Sequence, residues 1–147
     1  MYKHILIPTD GSDLAEKAVT EGLDFAREAG AHVTLFTAVP EYEPPSETQV
    51  LARSFVSIAD HARKSEKMAH GILARAAEKA RAAKLRFDTA YLQSNQPWQA
   101  IIDAAAQHGC DAILMASHGR KGLAAVWYGS QTQEVLTHSK LPVLVYR

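Results

Sequence analysis

Three features of the 147-residue chain predict an α/β fold, built as a single-domain, open, twisted five-stranded parallel sheet with helices on both faces. Short continuous apolar runs such as "KHILIPT", "AHVTLFTAV" and "DAILMAS" have the pattern of strands buried on both sides. Segments with helical spacing of apolar residues alternate with them, which implies parallel strands joined by right-handed crossovers. No composition break, internal repeat or low-complexity tract divides the chain, so residues 1–147 read as one domain.

The first run ends in "DGSD", and Ala15, Ala18, Val19, Gly22, Leu23 and Ala26 then recur at helical spacing. Ser12 or Asp13 is the expected N-cap, with Glu16 completing a capping box if Asp13 takes that place, and Gly30 is the stop. "AHVTLFTAV" is the second strand. "PEYEPPSETQ" follows, with its prolines and glutamates, and reads as a surface loop. A long helix is expected from about Val56 to Ala83, with Ile58, Ala62, Ala69, Ile72 and Ala76 on its core face. "RFDTAYLQ" is a weaker third strand. Pro97 suits a first helical position, and Ala100, Ile101, Ala104 and Ala105 form the apolar face of a helix ending near Gly109. "DAILMAS" and "LPVLVYR" are the fourth and fifth strands. Between them lies a glycine-containing segment and a short helix, in which Ser130 and Gln133 have capping-box spacing.

Composition narrows the function. Sixteen basic residues balance sixteen acidic ones, without a dense Lys/Arg stripe, which leaves no electrostatic footprint for nucleic acid or an anionic membrane. The apolar N-terminal run breaks at Pro8, too early for a signal peptide or membrane span. Cys110 is the single cysteine, which excludes an internal disulfide, and its apolar setting reads as a buried, inert thiol. The expected location is the cytoplasm.

Parallel sheets bind ligands beyond the carboxyl ends of their strands, where the strand order reverses. "TDGS", "TAVPE" and "ASHGRKG" should gather there. Glycines leave a chain free to turn, but bare amides at a helix start also form an anion site, and the segment from Gly119 to Ser130 fits either use. The amides of Ser130, Gln131 and Thr132 would point out with the positive end of the helix dipole, next to Arg120 and Lys121. Asp10, at the end of the first strand, suits ribose hydroxyls, a magnesium ion or a turn. The chain has no GxxxxGK[ST] loop, no GxGxxG after the first strand and no GxSxG elbow. Its seven histidines show no metal-binding spacing, so no permanent metal is expected.

"HILIPTDGS", "DAILMASHGRKG" and "GSQTQEVLTHSKLPVLV", in this βα order, resemble the universal stress protein family over the whole chain. The resemblance implies a Rossmann-like, adenine nucleotide alpha hydrolase-like fold. It also implies the family's phosphate loop: Gly, two residues, Gly, nine residues, Gly, then Ser or Thr. Gly119, the nine residues Arg120 to Tyr128, and Gly129-Ser130 match it, while Ala116 stands at the first glycine. Alanine there strains the loop if a glycine-only backbone angle is needed, and is tolerated if only close approach matters. Carried over residue by residue, the likeness places phosphates at Gly119, Gly129, Ser130 and Gln131, the base at the backbone of Ala38 and Val39, and a ribose or magnesium-linked role on Asp10. Pro8, Thr9, Met115, Ala116, His118, Arg120 and Thr132 complete the expected nucleotide-binding set.

The function implied is that of a stress-response protein that uses occupancy by ATP, with or without magnesium, as a switch rather than as fuel for fast catalysis. A homodimer through residues 142–147 is also implied. The alternative is a member that binds no nucleotide and acts through protein contacts, with "VPEYEPPSETQVLARSF" as its docking surface. An adenylating enzyme of the wider hydrolase group fits less well, because "PTDGSD" replaces the glycine- and serine-rich loop such enzymes carry after the first strand.

Overall fold

A computed structural model describes residues 1–117 and 129–147. The strands are β1 (His4–Pro8), β2 (His32–Val39), β3 (Phe87–Gln93), β4 (Ala112–Ala116) and β5 (Val143–Tyr146). They form one parallel sheet in the order β3-β2-β1-β4-β5. The chain therefore builds outward from β1 to β3, then returns to the other side of β1 with β4. The switch point lies between β1 and β4.

The helices are α1 (Asp13–Ala29), α2 (Glu47–Leu51), α3 (Ile58–Ala82), α4 (Pro97–Gln107) and α5 (Gly129–His138). Val19, Leu23 and Ala26 of α1 and Leu73, Ala76 and Ala80 of α3 cover one face of the sheet, over Ile5, Ile7, Val33 and Leu35. Ala100, Ile101 and Ala104 of α4 and Val135 of α5 cover the other, over Leu6, Phe36, Ile113 and Met115. The alternation of strand residues between the two clusters follows from the period of two along a strand. β1, β2 and β4 are buried almost throughout, as two-sided strands must be, while edge strand β3 is partly exposed.

Ser12 is the N-cap of α1, its Oγ accepting from the Ala15 amide at 3.3 Å. The predicted apolar faces of α1 and α4 are both buried, and Pro97 stands at the start of α4. The long helix departs from its predicted face at one end. Ile58 is 68% exposed and Ala62 is exposed as well, because the core side of α3 begins only at Ser65; the first turns stand beyond the layer that covers the sheet. The segment read as an irregular loop contains α2, whose start carries a full capping box between Ser46 and Gln49. At α5 the predicted Ser130–Gln133 box gives way, since Gly129 is already helical and Ser130 therefore lies inside the first turn. No helix of the described residues is long and apolar enough to cross a membrane.

Candidate functional site at the carboxyl edge of the sheet

β1 ends in a turn wrapped by its own side chains. The Thr9 amide donates to the Phe36 carbonyl at 2.8 Å, continuing the sheet one residue past the strand. The Thr9 hydroxyl accepts from the Gly11 amide at 3.1 Å, and Asp10 Oδ1 accepts from the Ser12 amide at 2.9 Å. Gly11 has φ of 78°, a left-handed angle that lets the chain reverse within these two bonds. Thr9 is fully buried and Asp10 is 6% exposed, so a carboxylate is held at the switch point with its backbone fixed. The amino end of α1, with its positive dipole, begins three residues on.

Across the switch point, β4 ends at Ala116. Its partner in register is Tyr146, and the Ser117 amide donates to the Tyr146 carbonyl at 2.7 Å. Ala116 is a strand residue, and the described non-glycine residues with positive φ are Arg53 and Lys84 alone. Ala116 itself thus has no left-handed φ, while the loop that follows it lies outside the described residues. The alanine methyl is buried, at 8% exposure.

α5 is bolted to this strand end. The buried Thr132 hydroxyl shares its proton between the carbonyls of Ala116 and Ser117, each at 3.0 Å. The Gln131 side chain reaches the other way, its Oε1 accepting from the Trp98 amide at 3.0 Å. That amide belongs to the first turn of α4, whose N-cap residue Gln96 makes no capping bond of its own, so Gln131 supplies the cap from a neighbouring helix. Gly129 needs its lack of a side chain for neither bond. Its backbone is helical, and among the described residues a Cβ built there would meet only the Ser117 carbonyl oxygen, at 3.9 Å. α5 begins at Gly129, and the first-turn amides of a helix, here those of Gly129, Ser130 and Gln131, are the donors that helix geometry leaves for other acceptors.

The structure thus brings Pro8, Thr9, Asp10, Met115, Ala116, Gly129, Ser130, Gln131 and Thr132 to the β1–β4 end of the sheet, with Ala38 and Val39 at the adjacent end of β2. Their availability differs. Pro8, Val39 and Met115 are buried and offer backbone only, while the Thr132 hydroxyl and Gln131 carbonyl are already engaged in holding helices. His118, Gly119, Arg120 and Lys121 lie outside the described residues. Ser117 was missed by sequence reasoning, although its carbonyl anchors Thr132 and faces Gly129. Among the described residues no group of three or more His, Cys, Asp or Glu side chains forms a metal site.

The profile of the universal stress protein family matches residues 1–147. A universal stress protein of Thermus aquaticus is 33% identical over 152 residues, covering all of both chains. The solved structure of MJ0577, a universal stress protein of Methanocaldococcus jannaschii, superposes with a TM-score of 0.76 at 27% identity, over 99% of this chain and 95% of that one. A universal stress protein in complex with cAMP shares the fold with a TM-score of 0.71 at 22% identity, over 99% and 97% of the two chains. With the switch point at β1–β4 and a match that runs from the first residue to the last, the chain belongs to the universal stress protein family.

Proposed function

We propose that this protein binds an adenine nucleotide, ATP with or without magnesium, in the crevice between the ends of β1 and β4, and that occupancy of the site is its signal. The observation that carries this reading is Gly129: among the described residues no contact requires a glycine there, and it opens a helix, whose first-turn amides suit an anion. Structures of the same fold hold cAMP, dAMP and AMP, ligands that share an adenine base on a pentose and one phosphate. In this chain the phosphates would lie on the first turn of α5 together with Gly119, His118 and Arg120. The adenine would lie against the backbone of Ala38 and Val39, and Asp10 would take the ribose hydroxyls or a nucleotide-borne magnesium ion.

The site reads as a switch rather than a fast ATPase. Asp10 accepts from the Ser12 amide, a role that holds a turn rather than activating a water molecule. The protein is assigned to the cytoplasm, as a homodimer paired through residues 142–147, where edge strand β5 ends the sheet. A second reading, action through protein contacts, is favoured by Val50, Leu51, Phe55, Val56 and Ile58, all exposed on the segment after β2.

Isothermal titration of nucleotide-stripped protein with ATP plus magnesium, and with AMP, tests the site. Micromolar affinity, about 8 kcal/mol, is expected for the wild type, with a loss of about a hundredfold or more in Gly129→Asp, which places a carboxylate over the same amides. Absence of heat and of any thermal shift up to millimolar nucleotide would overturn the assignment.

A further inference from the structure

Among the described residues, most of the exposed large hydrophobic side chains fall in one run. Val50, Leu51, Phe55, Val56 and Ile58 are each between 48% and 86% exposed, and Met68 follows on α3 at 45%. α2 buries none of its residues and is held by its own capping box. Glu41, Glu43 and Glu47 stand exposed around it, and none of them forms an ion pair among the described residues. A concavity of about 430 Å³ opens between this segment and the start of α3, with Tyr42, Phe55, Val56 and His61 among its walls. His61 holds the segment in place, its Nε2 donating to the Pro40 carbonyl at 3.1 Å.

His61 also begins a line along α3. His61, Lys64, Met68, Gly71 and Arg75 follow at steps of three and four residues, which places them on one side of the helix. Lys79 ends that line and fixes its side: its Nζ lies 2.9 Å from Glu16 Oε2 of α1. A shallow groove of about 600 Å³ runs along it, open at Gly71, where a Cβ would meet nothing within 4 Å. Lys64, Lys67 and Arg75 flank the groove, exposed and without an ion pair among the described residues.

The α2 segment is therefore apolar and, with Glu41, Glu43 and Glu47 against Arg53, net acidic, whereas the α3 groove is apolar and flanked by basic side chains. Two regions of this kind complement each other when a second copy is turned about a two-fold axis, each meeting the opposite region of the other copy. We propose that the α2 segment of one copy seats on the α3 groove of another, with Val50 and Leu51 against Met68 and Gly71 and with Glu43 and Glu47 facing Lys64 and Lys67, the reciprocal contact closing the pair. The same charges argue against α2 as a lid, since three carboxylates would then approach the phosphates of the nucleotide. This interface is distinct from β5 and independent of nucleotide binding.

Charge exchange tests it by sedimentation equilibrium of the full chain at micromolar concentration. Glu43→Lys/Glu47→Lys and Lys64→Glu/Lys67→Glu alter exposed side chains only, and circular dichroism of each checks folding. Each variant alone is expected to associate about tenfold or more weakly, halving the mass of the assembly, whether that drop is from tetramer to dimer or from dimer to monomer. An equimolar mixture of the two variants should regain the wild-type mass, because each now offers what the other lacks, and raised salt should weaken the wild type. A mass that neither variant lowers, or a mixture that fails to recover, overturns the proposal. A wild type that sediments as a monomer does the same.

Discussion

At the amino edge of the sheet, polar side chains bond to groups on neighbouring strands. His4 Nε2 lies 2.7 Å from Thr34 Oγ1, and His32 Nε2 lies 2.7 Å from Asp88 Oδ2, with the two imidazole rings edge to face at 4.6 Å. Asp111 accepts from the amides of Lys3 and His4, at 2.8 and 3.1 Å, and so ties the start of β4 to the start of β1. At the carboxyl edge the bonds run from side chain to nearby backbone instead: Thr9 to Gly11, Asp10 to Ser12, Thr132 to the end of β4. The first edge fastens four strands to one another. The second uses its side chains to shape turns and leaves main-chain donors facing the crevice, which is how a fold positions a site without exposing a long side chain to do it.

Substitutions at the two edges should therefore move different observables. Among the side chains that make these bonds, the largest effect is expected for Asp10→Ala, which removes both the turn acceptor and the crevice carboxylate. Nucleotide affinity should fall by about 10- to 100-fold, or about 1.4–2.7 kcal/mol, in a titration. Asp10→Asn keeps an acceptor for the Ser12 amide, so its thermal stability should return toward wild type while affinity stays reduced. Unchanged affinity in the alanine variant would show that the carboxyl edge is not the ligand scaffold.

Thr132→Val is next. It removes the buried hydroxyl that bonds the carbonyls of Ala116 and Ser117 at nearly constant volume, and denaturant unfolding should show a loss of about 2 kcal/mol. A loss within experimental error would mean that α5 is held by Val135 and its apolar neighbours alone.

The smallest effect belongs to the amino edge and to pH. Burial, reinforced by the neighbouring His32 and offset in part by Asp88, lowers the His4 pKa below its ordinary value, with His108 lowering and Asp111 raising it further out. The unfolded chain therefore binds more protons at this position than the folded one, and stability should decline as pH falls through the ordinary histidine value of about 6.5. His4→Asn should flatten that slope in denaturant titrations between pH 5 and 7, without altering nucleotide affinity. A steeper slope in the variant would reverse the sign assigned to His4.

Much of this architecture was legible because it depends on local patterns. Two-sided strands such as β2 and β4 must be continuous apolar runs, and the α1 and α4 faces are set by a period of 3.6 residues. Ile58 and Ala62 obey the same period yet are exposed, because periodicity says which side of a helix is apolar and not where the neighbouring layer stops. α2 escaped notice behind Pro44 and Pro45 although Ser46 and Gln49 carry the capping spacing. Within the site, a one-dimensional pattern could place Gly129 near a helix start and Asp10 at a strand end. It could not show that Gln131 and Thr132 are engaged with α4 and β4, because those bonds join residues brought together only by the strand order.

The Gln131 bridge has an optical consequence. Trp98 touches α5 at two points: its amide is held by Gln131 in the first turn, and its indole stacks on His138 at the last, ring centres 4.8 Å apart. The half-buried indole thus spans the helix whose beginning faces the crevice, beside an imidazole that quenches emission when protonated. In a background where Trp127 is replaced by Phe, the protein carries its own fluorophore at the α4–α5 seam, and light emitted there reports the fit of one helix against the other without any added label.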